Sequence, residues 1–171
     1  MMSAMTSTTS AVNRLAPSID RFEQGADVPR KAIAGLSRDQ LRAHPVPGTW
    51  SIHELIVHLY QSDLVAIDRM WRIAAMEKPL IMAYDENAYL RELHPEAVDP
   101  ALAAEAFSLN RRLVAPVLRA LPEASFARAG VHSERGLLTL EQMVEGYVKH
   151  LEHHMGFLRE KLRVLGRPVA V

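Results

Sequence analysis

The chain has 171 residues, 49% of them apolar, with 20 Lys plus Arg balancing 20 Asp plus Glu. That length and apolar content suit one folded domain of ordinary size and argue against disorder. The formal charge of zero leaves no basic footprint for nucleic acid and no pull toward an anionic membrane, and the lack of cysteine excludes disulfides, thiolate nucleophiles and cysteine-based zinc sites.

The opening "MMSAMTSTTSAVNR" has neither the basic start nor the apolar centre of a signal peptide. It reads as a flexible tail over residues 1–15, ahead of a single helical domain over 16–166. No apolar run approaches the roughly 18 residues of a membrane span, and a cytoplasmic protein is expected. Period-2 alternation is nearly absent, so strand signals are weak, whereas helical spacing recurs in four segments.

The first segment, about 17–36, places Ile19, Phe22, Ile33 and Leu36 on one face. Gly25 and Pro29 interrupt it, which predicts a kink or two shorter helices. The second follows "PVPGTW". Ser51 and Glu54 form a capping box, apolar residues recur from Ile52 to Trp71, and the helix should end near Glu77, before Pro79. The third starts with Asp99 as cap and Pro100 in the first helical position, and runs to about Leu121 with a bend at Pro116. The fourth is capped by Thr139 and Gln142 and continues to about Leu165, where Gly166 and Pro168 stop it. The expected fold is all-α, a four-helix bundle with a long crossover, residues 78–98, between its second and third helices. Such a length suits either a plain crossover with a short helix of its own or a segment that covers a site.

The eight histidines are unevenly spread, with three of them inside "YVKHLEHHMGFL". His150 and His154 stand at i, i+4 on one helical face and can reach one ion at about 2.0–2.1 Å. A solvated helix produces such pairs as well, so the pair alone decides little. His153 lies about 100° round the helix, at the margin. The zincin pattern fails because Leu151, not Glu, follows His150. In "HELIVH", His53 and His58 are five apart and cannot share an ion. His53, in the first turn beside Glu54, should be exposed. His58 has an apolar setting, which suits either a satisfied core histidine or, if the second and fourth helices meet at its depth, a third ligand. Three imidazoles with open positions form a catalytic type of metal site, preferring Zn, Ni, Cu or Fe over Mg or Ca. His44, His94 and His132 are expected to be solvated loop residues.

"GTWSIHELIVHLYQSD", followed far downstream by "HLEHHMGFL", resembles the DinB/YfiT superfamily of small metal-binding four-helix proteins. "PLIMAYDENAY" is similar to the Pro-x-Ile-x-x-Tyr-Asp-Glu stretch of its YfiT-like branch, and together the matches span about residues 17–165. The resemblance implies a helical bundle, often a homodimer, binding nickel or zinc through His58, His150 and His154. It also implies a metal-dependent enzyme: a transferase of low-molecular-weight thiols to electrophiles, or a metal-dependent hydrolase. Gln61 and Phe157 depart from the polar or acidic residues found in relatives. The rival reading is a bundle that holds metal or ligand, or dimerises, without turnover; a fourth protein ligand from His153 or Glu54 would mark it.

Among the remaining residues, Trp50 is placed to staple the first turn of the second helix. Tyr84, Asp85 and Glu86 suit the cap of a short helix or contact with substrate. Arg111 and Arg112 suit a solvated face or the carboxylates of a thiol cofactor. The methionines suit core gaps.

Overall fold

The computed structural model describes residues 15–167. The expected tail lies outside this range except for Leu15, which is buried at the start of the first helix. The helices are α1 (Ala16–Gln24), α2 (Val28–Ile33), α3 (Arg38–Arg42), α4 (Ile52–Ala75), α5 (Glu86–Glu92), α6 (Pro100–Ala120) and α7 (Leu140–Val164). Strands β1 (Leu80–Ile81), β2 (Ala129–His132) and β3 (Gly136–Thr139) complete the fold.

The four expected segments form the bundle. A 3₁₀ turn at Gly25–Asp27 splits the first of them into α1 and α2, as the Gly and Pro interruptions require. Both predicted capping boxes form. The Ser51 hydroxyl accepts from the Glu54 amide at 3.1 Å while the Glu54 carboxylate accepts from the Ser51 amide at 2.6 Å. Thr139 and Gln142 repeat the exchange at the head of α7. Each satisfies orphan donors and contributes about 1 kcal/mol. Asp85 caps α5 through the Asn87 and Ala88 amides, so the crossover does contain its own short helix. α6 runs on past Pro116.

α4 packs against both α6 and α7, and α1 packs against the same two. Helices α1 and α4, the first two long bundle helices in chain order with only the short α2 and α3 between them, are therefore diagonal in the bundle. The buried side chains form two apolar clusters. One gathers Phe22, Met70, Ile73, Val144 and Val148; the other gathers Ile52, Leu55, Phe107, Leu151 and Leu158.

A polar layer lies between them. Arg111 is 1% exposed, and its Nε donates to Asp63 Oδ1 at 3.0 Å. Its other nitrogens donate to the carbonyls of Phe22 (3.4 Å) and Tyr147 (3.1 Å). The rings of Phe22 and Phe107 each lie 4.4 Å from the guanidinium carbon. This corrects the solvated reading of Arg111; only Arg112 is exposed, paired with Asp27. Gly25 makes room for the layer, because a Cβ there would sit 2.6 Å from Leu151 Cδ2 and 3.3 Å from Arg111.

Two further expectations are corrected. His53 is 7% exposed, not solvated, and its Nε2 donates to the carbonyls of Val98 (2.8 Å) and Pro95 (3.0 Å), tying the end of the crossover to α4. The weak strand signals also concealed a small sheet. β1 runs parallel to β2, with Leu80 opposite Val131, and β2 and β3 form an antiparallel hairpin. Gly130 lets this sheet close on the end of α4, since a Cβ there would come within 2.7 Å of Ile81 and 3.1 Å of Ile73.

Removing one partner of a buried ion pair strands the other charge, at a cost of about 3–5 kcal/mol. Asp63→Ala should therefore lower the urea-derived stability by that amount. Replacing both residues, as Asp63→Leu with Arg111→Met, should recover most of it. A loss under about 1 kcal/mol in the single variant would contradict the role given to this pair.

Candidate metal centre

His58 comes from the second turn of α4, and His150 and His154 from one face of α7, where those two helices pack. Their Nε2 atoms converge: His58 lies 3.3 Å from His150 and 3.2 Å from His154. Two nitrogens about 2.0–2.1 Å from a common ion at a tetrahedral angle stand about 3.3–3.4 Å apart, so these separations fit one shared ion. Among the described residues, this trio is the one group of His, Asp or Glu whose geometry could hold a metal.

The electrostatics fit too. Burial lowers the pKa of His58 to about 4, helped by His154. His150 falls to about 3, through burial first and then through His154, His58 and Arg111. His154 falls to about 4, through burial and then His153. All three rings are thus neutral near neutral pH, with lone pairs free for coordination. A soft-to-borderline divalent cation suits this nitrogen donor set, whereas Mg or Ca would seek oxygen.

The surroundings are asymmetric. Trp50 does not simply staple the helix start: its ring lies 4.9 Å from His58 and is stacked parallel to His154 at 6.3 Å. His154 Nδ1 is buried without a hydrogen-bond partner, so packing against Trp50 orients that ring in place of the usual carboxylate or carbonyl. On another side, His150 lines a cavity of about 240 Å³ shared with Tyr147, Tyr84, Arg69, His132 and Arg135. Arg69 Nη1 donates to the Tyr147 hydroxyl at 3.1 Å. Burial raises the pKa of both Tyr84 and Tyr147, keeping them protonated.

Other histidines fall outside the trio. His44 and His94 are exposed, as expected. His132 is not: it is 7% exposed on β2, because the unforeseen hairpin folds it against the cavity. His153 is exposed, its ring 4.6 Å from that of Phe157. Glu54 is committed to its cap. Arg69 and the hairpin residues carry no helical or motif signal that ties them to the histidines; tertiary folding alone brings them there.

The profile of the DinB superfamily matches residues 21–158, and the chain belongs to that superfamily. It is 26% identical over 149 residues to a protein of Bacillus licheniformis, covering 86% of this chain and 85% of that one. It is 29% identical over 142 residues to YfiT of Bacillus subtilis, covering 80% and 78%. Both are named as proposed metal-dependent hydrolases. The solved structure of YfiT from Bacillus subtilis, described as an unusual four-helix bundle, matches with a TM-score of 0.84 across 97% of this chain and 95% of that one, at 22% identity. A DinB-like protein of Bacillus subtilis matches at 0.64 and 16% identity, over 91% and 96% of the two chains. At those identities the structural likeness establishes the fold.

The three imidazoles bind protons more weakly when folded than the 6.5 of a free histidine. The unfolded chain therefore takes up protons first, and the metal-free protein should lose stability as pH falls from about 6.5 toward 4. Each withheld proton is worth about 1.4 kcal/mol per pH unit. Asp63, raised to about 6 by burial against the pull of Arg111, opposes this by one proton. Denaturation midpoints of chelator-treated protein across this range should fall, and fall less steeply in His150→Ala. A flat profile would contradict the burial of neutral rings.

Proposed function

We propose that His58, His150 and His154 hold one divalent cation, nickel or zinc, and that the protein is a metal-dependent enzyme. The observation that carries this is the convergence of three neutral imidazoles beside a cavity, with His58 Nε2 3.2–3.3 Å from the Nε2 atoms of the other two and all three ligand nitrogens within 4.8 Å of one another. A cation held there would lower the pKa of a bound water or thiol, or polarise a substrate oxygen. The chain's own part is to keep the rings neutral, to shield His58 and His154 with Trp50, and to leave His150 facing the cavity. Among the described residues neither His153 nor Glu54 joins the trio as a ligand, which supports an enzyme over a closed metal-holding module.

Two nucleophiles fit this centre. A low-molecular-weight thiol, transferred to an electrophile, needs little help with its proton. Among the described residues no carboxylate joins the three rings as a ligand, and Glu86 is the one carboxylate on the adjoining cavity that could serve as general base. The names of the relatives favour hydrolysis. Metal-loaded protein should be incubated with a panel of cellular thiols and 1-chloro-2,4-dinitrobenzene, and separately with p-nitrophenyl acetate without thiol. Conjugation above the metal-free control supports transfer; ester cleavage alone supports hydrolysis.

Purified protein should carry about one divalent ion per chain, as three-histidine sites do, with His58→Ala and His154→Ala each losing it. Unchanged metal content in both variants would reject the site.

A homodimer is also proposed. Leu102, Leu109, Leu113 and Val117 are 41–70% exposed and share one face of α6, an apolar stripe that a second copy would cover. Leu113→Glu should convert the dimer to monomer in light scattering; a wild-type monomer would refute this.

A further inference from the structure

The cavity beside His150 contains a cation with no carboxylate in ion-pair reach among the described residues. Arg69, on α4, is 8% exposed. Its partners are neutral: the Tyr147 hydroxyl, the Met82 carbonyl and, at 5.7 Å, the Tyr84 ring. Its Nε is buried without an acceptor. Arg111, by contrast, is 1% exposed and has Asp63. Burying a guanidinium without a carboxylate is unfavourable unless something else supplies the negative charge.

The hairpin brings a second guanidinium, Arg135, to the same cavity. Between them His132 is held neutral, by burial first and then by Arg69 and Arg135. Glu86 is the single carboxylate on the lining. Among the cavity's own side chains, two guanidiniums against one carboxylate leave a surplus of one positive charge, the charge that one carboxylate ligand would neutralise. The planar guanidinium fork also matches a carboxylate. At about 240 Å³ the space is below the range of drug-sized ligands, so the ligand is small.

We propose that this cavity binds the carboxylate of a small organic substrate on Arg69 and Arg135, and so directs the substrate's other end toward His150. Binding of the carboxylate itself stands on the cavity alone; the direction toward His150 rests on the metal centre proposed above.

The test uses cobalt-loaded protein and two thiols of equal length, 4-mercaptobutanoate and 4-mercaptobutan-1-ol, titrated against the cobalt–thiolate absorption. The acid should bind about tenfold tighter than the alcohol, a preference of about 1.4 kcal/mol. Arg135→Ala, at an exposed position, should reduce that preference several-fold and leave the alcohol unchanged. Glu86→Gln should tighten the acid only, and Arg69→Gln should abolish the preference if it folds. Equal affinities of the two thiols in the wild type would overturn the proposal, as would inorganic phosphate competing as well as butanoate. In metal-free protein, butanoate but not butanol should raise the melting temperature. That shift surviving while neither thiol yields an absorption band would reject the metal centre and keep the carboxylate site. No shift alongside a normal band would reject the carboxylate site alone.

Discussion

The architecture depends on one buried arginine that touches all four bundle helices. Arg111 projects from α6, pairs with Asp63 of α4, and donates to backbone carbonyls at Phe22 in α1 and Tyr147 in α7. Apolar contacts between helices are non-directional and tolerate sliding by a turn. A guanidinium with fixed donor directions does not, because a shifted helix would strand a buried charge. Asp63 lies five residues from His58, and Tyr147 three from His150. The arginine therefore fixes the register of α4 against α7 where their imidazoles must meet. A polar group that contributes little net stability can still specify the arrangement, a role attested for buried polar groups in coiled coils.

The surroundings of this layer explain why the imidazoles remain neutral, His154 even with its Nδ1 unpartnered. They sit where the two apolar clusters meet, in a region of low polarity that penalises a charged ring. Arg111 adds a positive charge that lowers His150 further. Three lone pairs held close together and unprotonated form a preorganised donor set, so little reorganisation is needed when a cation arrives. The burial that makes the rings costly in acid thus also leaves their nitrogens unprotonated near neutrality, the state that a nitrogen-seeking cation requires.

Much of this could be read from the amino-acid order because it is local. The capping boxes at Ser51 and Thr139, the i, i+4 spacing of His150 and His154, and the Gly25 and Pro29 break all act within a turn or two of chain. Non-local features escaped. β1 is two residues long and pairs with a strand some fifty positions away, so no alternating pattern could announce it. His53 and His132 read as solvated, and Arg111 as either a solvated residue or a partner for cofactor carboxylates. Each is buried because a distant carbonyl, hairpin or carboxylate comes to meet it. The convergence of His58 with the α7 pair lies between these cases. Its apolar neighbours indicated burial, but only the packing of α4 on α7 makes the three rings meet.

The placement of aromatic and basic side chains around the trio also assigns its sides. Trp50 covers His58 and His154, and the apolar cluster containing Leu151 and Leu158 closes the bundle beyond them. His150 alone of the three borders the cavity, and Tyr147, one turn earlier on α7, links it to Arg69. The cavity that His150 borders is therefore lined by two protonated tyrosines and by Arg69, whose described partners are all neutral. The crossover and the hairpin form much of that lining, supplying Tyr84 and Glu86 from the first and His132 and Arg135 from the second. In this bundle the helices set where the histidines converge, and the connections between helices set what can reach them.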